Sequence, residues 1–146
     1  MKLEPLRERD IAEILLIEEE LFDAERWTDG MFRSELEHGN YYLVAREGTD
    51  AIVGYAGLAV VPPDEAWVNN IAVRRDAQRR GIGRALLEAL LAEAARRRVR
   101  RVLLEVAVDN GPAQKLYAEY GFETVSVRRR YYQPSNTDAL VMMREK

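Results

Sequence analysis

Apolar residues recur at Ile11, Ile14, Leu15 and Leu21 behind Asp10 and Glu13, the spacing of an amphipathic helix that opens on a capping box and runs to about Phe22. Thr28 can cap a second, short helix carrying Met31, Phe32 and Leu36 before Gly39-Asn40 breaks it. Two strand-like runs follow, Tyr41 to Arg46 and Ala51 to Val61, joined by Glu47-Gly48-Thr49-Asp50 and therefore read as an antiparallel hairpin. Pro62-Pro63 ends the second run, and a third strand spans Ala66 to Val73. From Gly81 the period becomes helical, with Ile82, Leu86 and Leu90 four apart and Leu87 and Leu91 beside them. Arg96 to Arg98 make a basic last turn that suits the helix dipole. Val102 to Val108 is an apolar strand and Asn110 to Tyr120 a helix closed by Gly121; two strands around Pro134-Ser135-Asn136 complete the chain.

The predicted order is β-α-α-β-β-β-α-β-α-β-β. It implies an α/β fold in one domain, with a mixed, mostly antiparallel sheet flanked by helices and one β-α-β crossover in the middle. A chain of 146 residues that is 47% apolar can bury a core of its own.

Charge and composition narrow the chemistry. With 25 acidic and 22 basic residues the formal net charge is -3, which gives no global pull toward nucleic acid or membrane. The absence of cysteine excludes disulfides, thiolate zinc sites and a cysteine nucleophile. His38 is the only histidine and stands beside Gly39, where a solvated surface ring is expected, so no metal site is expected either. Met1-Lys2-Leu3-Glu4-Pro5 lacks the apolar core of a signal peptide, and no long apolar run follows, so a cytoplasmic protein is expected.

The segment Val73 to Arg84 lies between a strand and the long helix and carries five arginines, Arg74, Arg75, Arg79, Arg80 and Arg84. Amides at a helix start have no internal partner, and Gly81 and Gly83 let an anion approach them, so strand, Gly-x-Gly and helix can cradle a phosphate. A tight turn with a solvated basic face is the competing reading. Leu86 occupies the place of the third glycine of a dinucleotide fingerprint, and Gly-Lys-Ser/Thr of a P-loop is missing.

Gln78-Arg79-Arg80-Gly81-Ile82-Gly83 instead resembles the Gln/Arg-x-x-Gly-x-Gly/Ala pyrophosphate motif of the GCN5-related N-acetyltransferases. Asn69-Asn70-Ile71-Ala72-Val73 before it resembles that family too, as do Leu104-Glu105-Val106, Asp109-Asn110, Leu116-Tyr117 and Gly121-Phe122 after it, in the family's order and spacing. The resemblance implies acetyl-coenzyme A as co-substrate. Backbone groups of Ile71, Ala72 and Val73 are then expected to pair with its pantetheine arm like an added strand. Amides from Arg79, Arg80, Gly81, Ile82, Gly83 and Arg84 are expected to hold the pyrophosphate, and Asn110 to touch the coenzyme from the next loop.

An amine attacks a thioester only when neutral, and α-amines and lysines have pKa values of about 7.7 to 8.0 and about 10.4, so a base is needed. Glu105 is a lone carboxylate in an apolar strand, a costly placement unless the group is paired, hydrated or used. An arginine-paired or edge glutamate is the alternative. Tyr117 stands seven residues beyond Asn110, on one helical face with it. By its residues alone it is a core aromatic or a proton donor. The resemblance makes Glu105 the general base and Tyr117 the general acid beside the coenzyme sulfur. Without a cysteine to carry the acetyl group, direct transfer in a ternary complex is expected.

Arg128-Arg129-Arg130-Tyr131-Tyr132, Asp138 to Met142, and Phe22 with Trp27 resemble the bacterial ribosomal-protein-alanine N-acetyltransferases of the RimI type. That implies the N-terminal α-amine of a protein, an alanine of a ribosomal protein, as acceptor. Ala107, Asp109 and Thr137 depart from that pattern and bear on the peptide side of the site. Two alternatives have their own signatures. A small amine such as a polyamine, amino acid or antibiotic calls for a narrow acidic pocket, and a nucleic-acid module calls for the runs Arg96 to Arg101 and Arg128 to Arg130. The acidic residues of the first quarter, Glu4, Glu8, Asp10, Glu13, Glu18, Glu19, Glu20, Asp23 and Glu25, can attract a cationic peptide or form a solvated helix face, and the solvated face is the expectation.

Overall fold

The computed structural model describes residues 1–22, 26–48, 50–132 and 136–146. The elements are β1 (Lys2–Pro5), α1 (Ile11–Phe22), α2 (Asp29–Glu37), β2 (Tyr41–Glu47), β3 (Ala51–Val61), β4 (Glu65–Val73), α3 (Ile82–Arg96), β5 (Arg101–Ala107), α4 (Gly111–Glu119), β6 (Glu123–Tyr132) and β7 (Thr137–Glu145). Their order is the one the hydrophobic pattern predicts. The turn expected at Pro134-Ser135 lies outside the described residues.

The seven strands form one sheet in the order β1-β2-β3-β4-β5-β7-β6, antiparallel throughout except for β4 against β5. Helix α3 is the crossover between those two parallel strands. Its Leu86, Leu87, Leu90 and Leu91 pack on Leu58, Val68, Val102 and Leu104 on one face of the sheet. The other face carries α1 and α2, where Ile11, Ile14, Ile17 and Phe32 meet Tyr42, Val44, Ile52 and Tyr55. Both helical stripes are apolar because each faces the sheet, which leaves the charged positions for solvent.

Cap chemistry differs in part from the expectation. Thr28 caps α2, its Oγ1 accepting the Met31 N–H at 3.3 Å. Asp10 instead closes a 3-10 turn (Glu8–Asp10), accepting the Arg7 N–H at 3.0 Å and the Arg46 guanidinium at 2.7 Å. Glu13 reaches across to accept the Ile52 N–H of β3 at 2.8 Å. The two carboxylates thus tie α1 to the sheet, because a neighbouring strand supplies donors that an isolated helix lacks.

The strands β4 and β5 part company midway. Their ladder runs from Glu65↔Arg101 to Val68↔Leu104 and stops there. On its other side β4 pairs Val68 with Leu58 and Asn70 with Gly57, which leaves Asn69 as an extra residue in a β-bulge. A bulge bends its strand and interrupts pairing, so β4 turns away from β5 at Asn69 and a wedge opens between them.

Candidate active site

The wedge is the floor of a cavity of about 460 Å³. Val68, Asn69, Asn70 and Ile71 form one wall and Leu104, Glu105, Val106 and Ala107 the other. Asn110 and Tyr117 close it from α4, Glu18, Phe22 and Trp27 from α1 and the connection after it, and Tyr132 and Thr137 from the last two strands. Of the residues predicted from sequence, Ile71, Glu105, Asn110 and Tyr117 are brought together here. The stretch Arg79 to Arg84 lies outside this cavity, at the start of α3.

The β4 side of the wedge is a strand edge that no neighbouring strand pairs with beyond Val68. Arg74 N–H donates to the Val53 carbonyl at 2.8 Å, and Ala72 pairs with Tyr55. Alternate residues of a strand face opposite edges, so Ile71 and Val73 turn their N–H and C=O groups to the open side. Ala72, which the sequence grouped with them, directs its own to β3. The Gln78 side chain donates to the Val73 carbonyl at 3.0 Å and folds the arginine-rich loop back onto this edge.

At the start of α3, Arg79 and Gly81 adopt left-handed φ of 65° and 84°. The first helical bond is Ala85 N–H to the Gly81 carbonyl, so the amides of Ile82, Gly83 and Arg84 have no partner within the helix. Open edge and open amides together fit a ligand with a hydrogen-bonding arm and a diphosphate, as acetyl-coenzyme A has. Two of the arginine side chains are engaged elsewhere. Arg80 pairs with Glu47 at 2.9 Å and Arg84 with Glu119 at 2.7 Å.

Glu105 sits on β5 with its side chain 16% exposed. One oxygen, Oε1, accepts from Arg128 Nη1 at 3.0 Å, while Oε2 is buried without a partner. The arginine-paired alternative and the free carboxylate are thus both realised, one on each oxygen. Arg128 also lies 4.9 Å from the Tyr131 ring centroid. Tyr117 packs its ring on Phe122, 5.9 Å between centroids, and burial pushes its phenol up to about 12. Asn110 caps α4, accepting the Ala113 N–H at 3.2 Å, and so fixes the helix that carries Tyr117.

Glu18 corrects the sequence reading of a solvated acidic face. It is 1% exposed, and it accepts the Trp27 N–H on Oε1 at 2.6 Å while Oε2 is buried without a partner. Burial raises its pKa to about 7. The signal was present: Ile11, Ile14 and position 18 follow the three-then-four spacing of the buried stripe. Asn69 and Asn70 were also missed as functional positions. Tyr42 O–H lies 3.2 Å from Glu35 Oε1 and 3.1 Å from Asn70 Oδ1, and Asn69 Nδ2 donates to Glu35 at 2.8 Å, so the bulge is anchored to α2. A bulge leaves no mark in an apolar run, which is why sequence did not show it.

The basic runs are partly structural. Arg96 and Arg97 both pair with Glu93, at 2.5 and 2.7 Å. Among the described residues no cluster of three metal-ligating side chains occurs, and no helix is long and apolar enough to cross a membrane.

Residues 9–122 match the family model described as the acetyltransferase (GNAT) family. The chain belongs to that family. It is 45% identical over 123 residues to the N-alpha-acetyltransferase RimI of Mycobacterium tuberculosis, covering 82% of this chain and 75% of that protein. It is 37% identical over 118 residues to the [ribosomal protein bS18]-alanine N-acetyltransferase of Escherichia coli K12, covering 80% and 78%. The crystal structure of the ribosomal-protein-S18-alanine N-acetyltransferase from Escherichia coli superimposes with a TM-score of 0.90 at 33% identity, covering 99% of this chain and 92% of that one. The protein is an acetyl-coenzyme A-dependent N-acetyltransferase of the RimI type.

Proposed function

We propose that this enzyme acetylates the N-terminal α-amine of a protein, an alanine of ribosomal protein bS18 as in the relatives named for that reaction, with Glu105 as general base and Tyr117 as general acid. The observation that carries the reading is the meeting of Glu105 and Tyr117 in one cavity at the point where β4 and β5 separate. Acetyl-coenzyme A, when bound, supplies the thioester carbon that the amine attacks. Ile71 and Val73 offer backbone groups to its arm, and the amides of Ile82, Gly83 and Arg84 accommodate its diphosphate.

Glu105 Oε2 is the oxygen free to take the proton of the incoming ammonium, directly or through a water, while Arg128 keeps Oε1 in place. Tyr117, with its phenol pushed up to about 12, stays protonated at neutral pH and can release that proton to the departing sulfur. Transfer is direct, since no cysteine is present to carry the acetyl group. An N-terminal α-amine, with a pKa of about 7.7 to 8.0, asks far less of Glu105 than a lysine does.

The shape of the site favours a peptide over a small amine. Trp27 and Asn69 are shared with a second, shallower groove along α2 lined by Thr28, Met31 and Ser34, so the site continues outward. The test is a panel of peptides beginning with alanine, serine or methionine, or carrying only an internal lysine, assayed for thiol release with acetyl-coenzyme A. The highest kcat/KM is expected for alanine. Turnover of polyamines or amino acids with none of any peptide would transfer the reading to a small amine.

A further inference from the structure

The proton-transfer pair does not use the most deeply buried ionisable group of the site. Glu18 projects from the apolar stripe of α1 into the wall of the cavity that holds Glu105 and Tyr117. One of its oxygens is tied to the Trp27 N–H, and the other is sealed from water and bonded to nothing. Such an oxygen is expensive to bury unless something bound at the site pairs with it. The two carboxylates of the cavity differ in this respect. Glu105 has Arg128, whereas no lysine or arginine among the described residues pairs with Glu18.

We propose that Glu18 is a specificity-determining residue of the acceptor site, whose unpaired carboxylate oxygen turns into the cavity and binds the positively charged amine terminus of the incoming peptide before Glu105 takes its proton. The inference rests on the reading that an N-terminal α-amine enters this cavity, and it names what selects that amine there. Because α-amines have pKa values of about 7.7 to 8.0, the acceptor arrives mostly as ammonium at neutral pH. A cation lowers the cost of ionising a buried carboxyl, so amine binding and Glu18 ionisation promote each other.

Several groups share the surroundings. Tyr42 on β2 feels the charge of Glu18 and is itself raised by burial, with Glu35 of α2 behind it. Across the cavity stand Glu105, Asp109, Tyr117 and Tyr132. Tyr117 and Tyr42 stay neutral across the neutral range.

The decisive measurement is kcat and KM for an alanine-starting peptide at pH 6.0 and 7.5, with wild type and Glu18→Gln. The amide keeps the shape and an acceptor for the Trp27 N–H, but not the charge. At pH 7.5 the variant is expected to show a peptide KM raised about tenfold, with kcat and the KM for acetyl-coenzyme A within about twofold of wild type. At pH 6.0, where wild-type Glu18 holds its own proton, the two KM values converge. A purely structural role would move both pH values alike, and an unchanged KM at pH 7.5 overturns the proposal.

The same peptide with its first alanine replaced by a propionyl group lacks the amine and serves as an inhibitor of wild type. It is expected to bind about tenfold more weakly than the amine peptide at pH 7.5, with a smaller gap at pH 6.0. Equal affinities overturn the proposal even if Glu18→Gln fails to fold. Wild-type turnover with an unaltered KM in the variant removes Glu18 alone. Absence of any wild-type turnover with amine-bearing peptides removes the acceptor reading, and the role of Glu18 with it.

Discussion

Replacing Glu18 by glutamine is predicted to make the protein more stable at alkaline pH and no more stable in acid. Glu18 has a pKa raised by burial from 4.5 to about 7. A carboxyl raised on folding binds its proton more tightly in the folded state. The folded state therefore loses stability as pH climbs from 4.5 through about 7, and nothing further is lost above that. The full rise is worth roughly 3 kcal/mol at 1.36 kcal/mol per pKa unit. Glutamine never ionises, so it escapes this loss, but its amide donors occupy the place of an oxygen with no partner, which costs roughly 1 kcal/mol. The net gain is then about 2 kcal/mol at pH 8, or a melting temperature higher by about 4 to 8 °C. At pH 5 the variant should equal wild type or fall about 1 kcal/mol below it. Thermal or urea unfolding of both proteins at pH 5, 6, 7 and 8 reads the difference. A stability offset that stays the same across that range would rule out the ionisation of Glu18 as its cause, as would a wild type more stable than the variant at pH 8. A gain in stability joined to a loss of peptide affinity is the pattern expected of a group retained for function.

Three other substitutions test the rest of the site. Glu105→Gln should lower kcat about 10²- to 10⁴-fold while leaving coenzyme A affinity intact by calorimetry. Because its ion-pair partner Arg128 is half-exposed, stability should change by less than about 1 kcal/mol. Tyr117→Phe should keep the fold and coenzyme affinity and lower kcat at least about tenfold, seen in single-turnover acetyl transfer, since the ring packing on Phe122 is retained. Gly81→Val forces a β-branched residue to φ 84°, so it should cost about 1 to 3 kcal/mol in thermal unfolding and weaken coenzyme A binding measured by titration.

Much of the molecule was legible because its signals are local. The stripes of α1 and α3, the alternation of β2 and β3 and the cap at Thr28 each follow from neighbours a few residues apart, and together they yield the element order. The candidate anion cradle rests on a signal of the same kind, Gly81 and Gly83 at the start of an amphipathic helix. What sequence did not show depends on contacts made across the fold. The bulge at Asn69 is defined by register against β3, and the engagement of Arg80 and Arg84 by Glu47 and Glu119 joins residues more than thirty apart. Glu105 and Arg128 meet only because β7 brings β6 to the edge beside it. Glu18 is a different case. It was read with the charge run Glu18-Glu19-Glu20, although its place on the stripe with Ile11 and Ile14 assigns it to the interior. Polarity outweighed periodicity there, and the structure reverses that order.

In the proposed reaction the wedge between β4 and β5 delivers an acetyl group to an N-terminal α-amine. That reaction is tested most directly by incubating wild-type protein with acetyl-coenzyme A and one peptide that begins with alanine and carries an internal lysine, then locating the modification by fragment-ion mass spectrometry. An acetyl group on the alanine nitrogen and an unmodified lysine are expected. Acetyl on the lysine with a free N-terminus, or coenzyme binding with no transfer to either amine, would contradict the proposed reaction.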